Sequence, residues 1–274
     1  MATKLNRSAI AALIVVFFTI CVEIPHSWAA DRAELGRVLT MMPPNGPAAQ
    51  FGTVVMRRKS MKAGMPPVIF PHWSHRARYA CRVCHTELDF AMKSGGSGIT
   101  RQKYLAGKFC GHCHDGVTAF TVKDGAGKQC VRCHTKDATP NTERFEAFAA
   151  TLPSASFGNG IDWAAALTQK KIAPLSTLSS GTEQFKLPGA LKKPLALGTT
   201  SPRSSVSFSH EEHAAELDCS NCHPDIFDIK KRGTQHFSME VNLYGQFCGA
   251  CHMKVAFPMN DCRRCHPEMS NSSY

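Results

Sequence analysis

Residues 70–85 of the chain read FPHWSHRARYACRVCH, in which two cysteines separated by two residues precede a histidine, and two further histidines lie upstream. The same arrangement returns at residues 208–223 as FSHEEHAAELDCSNCH, and an offset of 138 residues aligns the phenylalanine, both cysteines and all three histidines. The distance to the next Cys-x-x-Cys-His motif is also kept, since 24 residues separate the first and second motifs in both copies. The chain therefore contains two copies of one module.

Of the 13 cysteines in the 274-residue chain, all but Cys21 lie in six Cys-x-x-Cys-His motifs. Two thiols at this spacing can add to the two vinyl groups of a haem, and the following histidine then reaches the iron. Structural zinc sites or disulfides would not explain a histidine after every pair. The motifs predict six covalently attached c-type haems. The predicted attachment cysteines are Cys81, Cys84, Cys110, Cys113, Cys130, Cys133, Cys219, Cys222, Cys248, Cys251, Cys262 and Cys265, and the predicted proximal iron ligands are His85, His114, His134, His223, His252 and His266.

The histidines also match six haems in number. Of 13 histidines, His26 lies near the N-terminus and six complete the cysteine motifs, which leaves six. A lone histidine is usually an ordinary surface or core residue, but two of the three that remain in each copy recur at the same offset. We therefore predict that these six are distal iron ligands: His72, His75, His112, His210, His213 and His236.

The N-terminal segment predicts export. Lys4 and Arg7 precede an apolar run at residues 10–21, and Ser27-Trp28-Ala29 supplies small residues where a signal peptidase cleaves. We predict a secretory signal peptide at residues 1–29, and a periplasmic or exported protein without stable membrane insertion after cleavage. The alternative is an uncleaved membrane anchor, although a run of about 12 residues is shorter than the roughly 20 that a spanning helix needs.

The formal net charge of +11 is high enough on its own to suggest nucleic-acid binding. Six haems would add about twelve propionate groups, for which the lysine and arginine side chains are suitable partners. The holoprotein is then expected to be close to neutral, with a mild surface charge that steers redox partners. No nucleic-acid partner is predicted.

Outside the two modules the sequence is irregular or linker-like. Pro71 suits the first turn of a short helix that carries His72 and His75. We predict a mainly irregular fold with short α-helices and few strands. The predicted divisions are an N-terminal extension at 30–69 with a short strand at 51–56, module 1 at 70–136, a linker at 137–206 with helices at 141–150 and 162–170 and an extended connector at 176–203, module 2 at 207–269, and a tail at 270–274.

This pattern resembles the multihaem cytochromes of the c7 type, three-haem relatives of cytochrome c3, and in particular proteins built from tandem triheme modules. The resemblance covers two blocks, FPHWSH to CVRCH and FSHEEH to CRRCH, and leaves out the linker. It implies two c7/c3-like modules organised around covalently bound haems, and a particular distal partner for most proximal histidines. The implied pairs are His72 with His85, His75 with His114, His210 with His223, His213 with His252, and His236 with His266.

Module 1 departs from this scheme at its third motif. Gly98 stands where the repeat offset places His236, so the haem at His134 has no matching distal histidine. We predict that His112, inside the second motif, supplies this ligand to its neighbour. The alternatives are Met92, Met61, a histidine from another molecule, or an iron with an open position.

The spacing of the distal ligands favours electron transfer. His72 and His75 are three residues apart, so on a helix their Cβ atoms would be about 5–6 Å apart, and the two haems must pack closely. Bis-histidine ligation lacks the thioether sulfur that raises the potential of His/Met haems, so low potentials are expected. The leading hypothesis is a non-enzymatic hexahaem electron carrier with no catalytic residue.

The resemblance also implies partners. It suggests electron transfer between membrane or periplasmic donors, such as quinol-oxidising cytochromes, and outer-membrane conduits, terminal reductases or extracellular acceptors in anaerobic-type respiration. Two alternatives are a multihaem reductase with one open haem, the third of module 1, and an electron-transfer subunit of a larger, oligomeric or polymeric assembly. The linker either joins the modules or lets them move apart, and its helix-forming part with Trp163 favours partial docking.

Overall fold

A computed structural model describes residues 47–269 of the chain, except residues 94, 124–126, 138, 180–185, 198–204 and 229–237. These residues all belong to one compact unit, Met42–Tyr274. The predicted signal peptide at 1–29, the distal-ligand candidate His236 and the predicted tail at 270–274 lie outside the described residues.

Short elements joined by irregular segments make up the described chain. The α-helices are α1 (Arg58–Lys62), α2 (His72–Arg76), α3 (Arg101–Leu105), α4 (Thr139–Ala149), α5 (Trp163–Thr168), α6 (His210–Glu216), α7 (Met239–Leu243), α8 (Gly249–His252) and α9 (Cys262–Cys265). The strands are β1 (Thr53–Met56), β2 (Val68–Pro71), β3 (Leu195–Leu197) and β4 (Val206–Phe208). The predicted fold class, mainly irregular with short helices and few strands, is confirmed.

A pair of antiparallel strands leads into each module. Val54 on β1 faces Phe70 on β2 at the start of module 1, and Leu195 on β3 faces Phe208 on β4 at the start of module 2. Phe70 and Phe208 are equivalent in the repeat, so β3 is the counterpart of β1. The repeated unit is therefore longer than the cysteine motifs alone indicate.

One strand was predicted from the sequence and one was not. The strand predicted at 51–56 is confirmed as β1. The extended connector predicted at 176–203 contains the paired strand β3, which the sequence did not indicate because a three-residue strand among proline and glycine residues shows no detectable alternation. Pairing with β4, rather than local propensity, forms this strand.

The strands lead directly into the helices that carry the upstream histidines. Helix α2 begins after Pro71, whose backbone is extended, with φ of −84° and ψ of 107°. Helix α6 begins after Ser209, whose side chain accepts a hydrogen bond from the Glu212 amide, as an N-cap residue does. The prediction that His72 and His75 share a short helix is confirmed.

Two linker helices lie near their predicted positions. Helix α4 starts two residues before the helix predicted at 141–150, and α5 lies within the helix predicted at 162–170. Asp162 caps α5, because its carboxylate accepts a hydrogen bond from the Ala165 amide at 3.0 Å.

The main hydrophobic core of the described residues lies between module 1 and the linker. It contains Ala49, Trp73, Phe145, Ile161 and Trp163, all of which are buried. The Trp73 and Phe145 rings pack edge to face with centres 5.4 Å apart. The predicted docking of the linker through Trp163 is therefore confirmed, and the linker covers helix α2.

The linker also contacts module 2. Asp162 lies 4.0 Å from the Arg264 guanidinium. Gly158 adopts a φ of +66° and packs so closely on Pro258 that an added Cβ would lie 3.1 Å from the proline ring. Because the linker touches both modules, it joins them rather than separating them.

Candidate functional site

A phenylalanine at the end of each strand pair orients the two upstream histidines. The Phe70 ring meets His72 edge-on at 4.8 Å and lies 4.4 Å from His75, tilted by 32°. In module 2 the Phe208 ring lies 4.9 Å from His210 and 4.6 Å from His213, the latter tilted by 34°. The two modules thus repeat this arrangement closely. The sequence marked the phenylalanine as part of the repeat but gave no sign of its role.

Most of the predicted ligand histidines share one hydrogen bond, from Nδ1 to a backbone carbonyl. A carbonyl only accepts, so Nδ1 carries the proton, and in the neutral ring this leaves the Nε2 lone pair for a metal. Metal-bound histidines usually have their second nitrogen fixed in this way. The pairs are His72 with Gly52 (3.1 Å), His75 with Pro71 (3.0 Å), His85 with Phe90 (2.7 Å), His114 with Phe120 (3.0 Å), His134 with Pro66 (2.8 Å), His213 with Ser209 (2.7 Å), His223 with Phe227 (2.8 Å) and His252 with Phe257 (3.0 Å).

Two pairs of histidine rings lie at the separation expected of two axial ligands of one iron. An imidazole nitrogen bonds a metal at about 2 Å and the ring centre lies roughly 1 Å behind it, so two axial rings have centres about 6 Å apart. The His75 and His114 ring centres are 6.4 Å apart, and those of His213 and His252 are 6.2 Å apart. The structure therefore brings together the second upstream histidine and the second motif in both modules.

The first upstream histidine of each module lies close to the first motif. Burial, together with a smaller contribution from the nearby His85, lowers the pKa of His72 to about 4. Burial likewise lowers the pKa of His210, with a further contribution from His223. Both rings are therefore neutral near pH 7, which is the form that binds iron. The two modules differ in one contact, since His210 Nδ1 is buried and has no hydrogen-bond partner in the described part of the chain.

The third motif of module 1 has no distal histidine at the position that the repeat predicts. His112, the predicted distal ligand, is exposed. A cavity of about 510 Å³ lies beside the motif, lined by Val131, Arg132 and Thr135 together with Asn141, Glu143 and Arg144 of the linker. The role of His112 as the distal ligand stays a prediction, as does the pairing of His236 with His266.

A glycine inside each second motif is required by its surroundings. A Cβ at Gly111 would lie 1.7 Å from the Tyr104 carbonyl oxygen, and one at Gly249 would lie 1.7 Å from that of Asn242. Two residues earlier, the phenylalanines have positive φ angles, 53° for Phe109 and 44° for Phe247, a conformation that costs energy in residues other than glycine. The sequence shows that Phe-Cys-Gly is repeated in the two second motifs. It does not show the nearby backbone carbonyl that leaves room only for glycine.

The motif cysteines are free thiols with no shared metal cluster. All twelve are free in the structure, and in the described part of the chain no group of three or more His, Cys, Asp or Glu residues could hold a metal ion together. Burial, together with a smaller contribution from the nearby Cys113 thiol, raises the pKa of Cys84 to about 12. The described residues therefore give no support to the disulfide and zinc alternatives.

Two segments of the chain, 68–135 and 206–267, each match the family of cytochrome c7 and related cytochromes c. The chain belongs to the cytochrome c7 family. The predicted resemblance is confirmed, and the matched segments begin at β2 and β4. As a member of this family, the cytochrome carries covalently bound c-type haem.

Three solved structures are similar to parts of this cytochrome. It is 25% identical to the C-terminal hexahaem fragment of GSU1996, covering 82% of this chain and 99% of that one, with a TM-score of 0.26. It is 35% identical to a c7-type three-haem cytochrome domain, covering 35% of this chain and 98% of that one, with a TM-score of 0.26. It is 23% identical to the dodecahaem cytochrome c GSU1996, covering 78% and 73%, also with a TM-score of 0.26. No curated protein matches the chain.

The residues of this cytochrome fit the haem of its family. Free Nε2 atoms on neutral imidazoles are suitable axial ligands for iron. The ring separations of 6.4 and 6.2 Å leave room for one iron between each pair. The free cysteines precede the proximal histidines at the spacing that thioether attachment needs.

Proposed function

We propose that this cytochrome is a hexahaem electron-transfer protein with three haem sites in each module. The observation that carries the proposal is the facing of His75 with His114 and of His213 with His252, at 6.4 and 6.2 Å. Haem, when bound, supplies reversible one-electron chemistry between ferric and ferrous iron. The chain's own contribution is to hold neutral imidazoles in fixed orientations, and two histidine ligands favour low potentials.

Adjacent sites within a module are held close by the short helices. His72 and His75 lie on α2, and each has its Nδ1 fixed to a different backbone carbonyl. Phe70 contacts both rings, so neither can rotate without disturbing the other. Close, rigid ligand sets of this kind support electron transfer between neighbouring sites without further protein chemistry.

The contacts between the modules favour one continuous conduit over two independent carriers. Arg82, inside the first motif of module 1, donates to the backbone carbonyls of Ala214 and Leu217 in module 2, the latter at 2.9 Å. Cys251 in module 2 has its pKa raised to about 12, first by burial and then by the thiols of Cys222 and Cys81. Attachment sites of both modules therefore lie together at the contact between Arg82 of module 1 and residues 214–217 of module 2, which is called the junction.

We further propose that the protein is exported and exchanges electrons with other redox proteins. The apolar N-terminal run supports export through a cleaved signal at residues 1–29. In the part of the chain that the structure describes, no helix is long and apolar enough to cross a membrane. Donors in the membrane or periplasm, and terminal or extracellular acceptors, suit a low-potential carrier.

The test is a haem count by pyridine haemochrome on the purified holoprotein, combined with low-temperature electron paramagnetic resonance of the oxidised form. Six haems per chain, reversible reduction and low-spin bis-histidine signals are expected. Fewer than six haems, or haems that do not reduce reversibly, would overturn the proposal.

A reductase is the second candidate, because one site lacks an evident distal ligand. Gly98 occupies the position of His236 in the repeat, and the cavity of about 510 Å³ lies beside the third motif of module 1. A stoichiometric high-spin signal that changes on addition of cyanide or nitrite would support an open iron there. An unchanged low-spin spectrum would exclude this candidate.

A further inference from the structure

The guanidinium of Arg76 lies where three parts of the chain meet. It belongs to helix α2 of module 1, and its Nη1 donates a hydrogen bond of 3.0 Å to the Val255 carbonyl in module 2. Its Cζ atom lies 4.3 Å from the ring centre of Trp163 in the linker, a cation–π geometry that holds the group in place. The side chain is partly buried, so its charge is shielded from water.

Arg76 lies close to ligand histidines of both modules. It follows His72 by four residues on α2, so the two side chains lie on the same face of the helix. Val255, whose carbonyl accepts from Arg76, follows His252 of module 2 by three residues. The backbones are also close here, because a Cβ added at Gly52, whose carbonyl accepts from His72, would lie 3.9 Å from Val255 Cα.

No carboxylate in the described part of the chain forms an ion pair with Arg76. Glu216 raises the pKa of Arg76 from a distance, while burial, the larger effect, lowers it. Burial also raises the pKa of Glu216 itself, which weakens it as a counter-ion. A guanidinium stays protonated in proteins, so the junction contains a fixed positive charge.

The charge is not a general requirement of the module. The repeat offset aligns Arg76 with Ala214 in module 2, and α6 forms with alanine at that position. A positive charge at this position is therefore not needed to form the helix, and the contacts specific to Arg76 are those at the junction.

We propose that Arg76 is a positioning residue that raises the reduction potentials of two haem sites, one on each side of the junction. The sites are those of His72 with His85 and of His213 with His252. Reduction adds one negative charge to each site, and a shielded cation nearby stabilises that added charge. This inference rests on the proposed electron-transfer function, because it concerns the step between the modules.

The test compares Arg76→Met with Arg76→Lys in the full-length holoprotein, by a redox titration that resolves the individual haems through their nuclear magnetic resonance signals. Arg76→Met should lower two of the six potentials. We expect about a tenfold fall in the reduced-to-oxidised ratio at a given potential, which is about 59 mV for one electron. Arg76→Lys keeps the charge and should retain most of both potentials.

The control is Arg58→Met, which replaces an exposed arginine of α1. It changes the net charge of the protein by the same amount as Arg76→Met. If Arg76→Met shifts no potential, shifts all six equally, or matches the control, the inference is wrong. The proposed function fails separately, if the wild-type protein does not hold six reversible haems.

A second variant covers the case in which Arg76→Met yields no six-haem protein. Trp163→Leu keeps the guanidinium but opens its site to water, which screens the charge. The same two potentials should then fall by a smaller amount. Potentials that stay unchanged in Trp163→Leu overturn the inference.

Discussion

Asn221 of module 2 donates a hydrogen bond of 2.9 Å from its side-chain amide to the Thr86 hydroxyl of module 1. Asn221 lies inside the first motif of its module, and Thr86 directly follows His85 at the end of the equivalent motif. The two first attachment sites therefore meet at the junction. The position of these two residues makes the junction a suitable target for mutation.

Arg82→Met should loosen the junction. The guanidinium donates to two carbonyls of module 2, at Ala214 and Leu217, and hydrogen bonds from a charged group contribute roughly 1.5–3 kcal/mol each. We expect the free energy of unfolding to fall by about 3 kcal/mol or more, as measured by denaturant unfolding of the holoprotein.

Arg263→Met is the matched control for Arg82→Met. Arg263 occupies the same position within a Cys-x-x-Cys-His motif but is exposed. Its replacement should change stability very little, because surface substitutions usually stay within about 0.5 kcal/mol. Equal losses in the two variants would contradict the role of Arg82.

Gly111→Ala and Gly249→Ala should each disrupt the second motif of their module. The added methyl group would meet a backbone carbonyl at 1.7 Å, and backbone cannot move aside as a flexible side chain can. Overpacking of this kind costs about 1–3 kcal/mol or more. Haem counts and thermal unfolding of each variant measure the effect.

Gly189→Ala serves as the control, because an added Cβ there meets no atom within 4 Å and the residue has no positive φ. It should keep six haems and the wild-type stability. A wild-type haem count and melting temperature in Gly111→Ala would show that the carbonyl contact is not restrictive.

The repeated residues predicted much of the site, and the rest depends on contacts that sequence does not show. Pro71 predicted the short helix that carries His72 and His75, since the signals that start a helix are local. Strand β3 was missed because it forms only by pairing with β4. The Nδ1 bond of His134 could not be predicted either, because its acceptor, Pro66, lies 68 residues away in a segment without a motif.

Phe145→Ala should release the linker from module 1. Phe145 is only 2% exposed and packs against Trp73, and truncating a buried phenylalanine costs about 3–5 kcal/mol. Limited proteolysis should then cleave the linker faster, while the haem count stays at six. Phe157→Ala is the control, since that side chain is 38% exposed; equal cleavage rates in both variants would argue against docking.

His75→Ala should leave one iron with a single protein ligand. The His75 ring faces His114 at 6.4 Å, so its loss should convert one low-spin centre to high spin in the electron paramagnetic resonance spectrum. Added imidazole should restore the low-spin signal, because it can occupy the vacated position. A spectrum with all six centres still low-spin would show that His75 is not an axial ligand.

His112→Ala tests the predicted distal ligand of the third motif of module 1 by comparison with His75→Ala. If His112 binds the iron at His134, the variant should gain one high-spin centre, as His75→Ala does. The exposure of the His112 ring predicts little loss of stability, so a spectral change would reflect ligation rather than unfolding. An unchanged spectrum, with His75→Ala changed as expected, would exclude His112 and leave Met61, Met92, an intermolecular histidine or an open iron at that site.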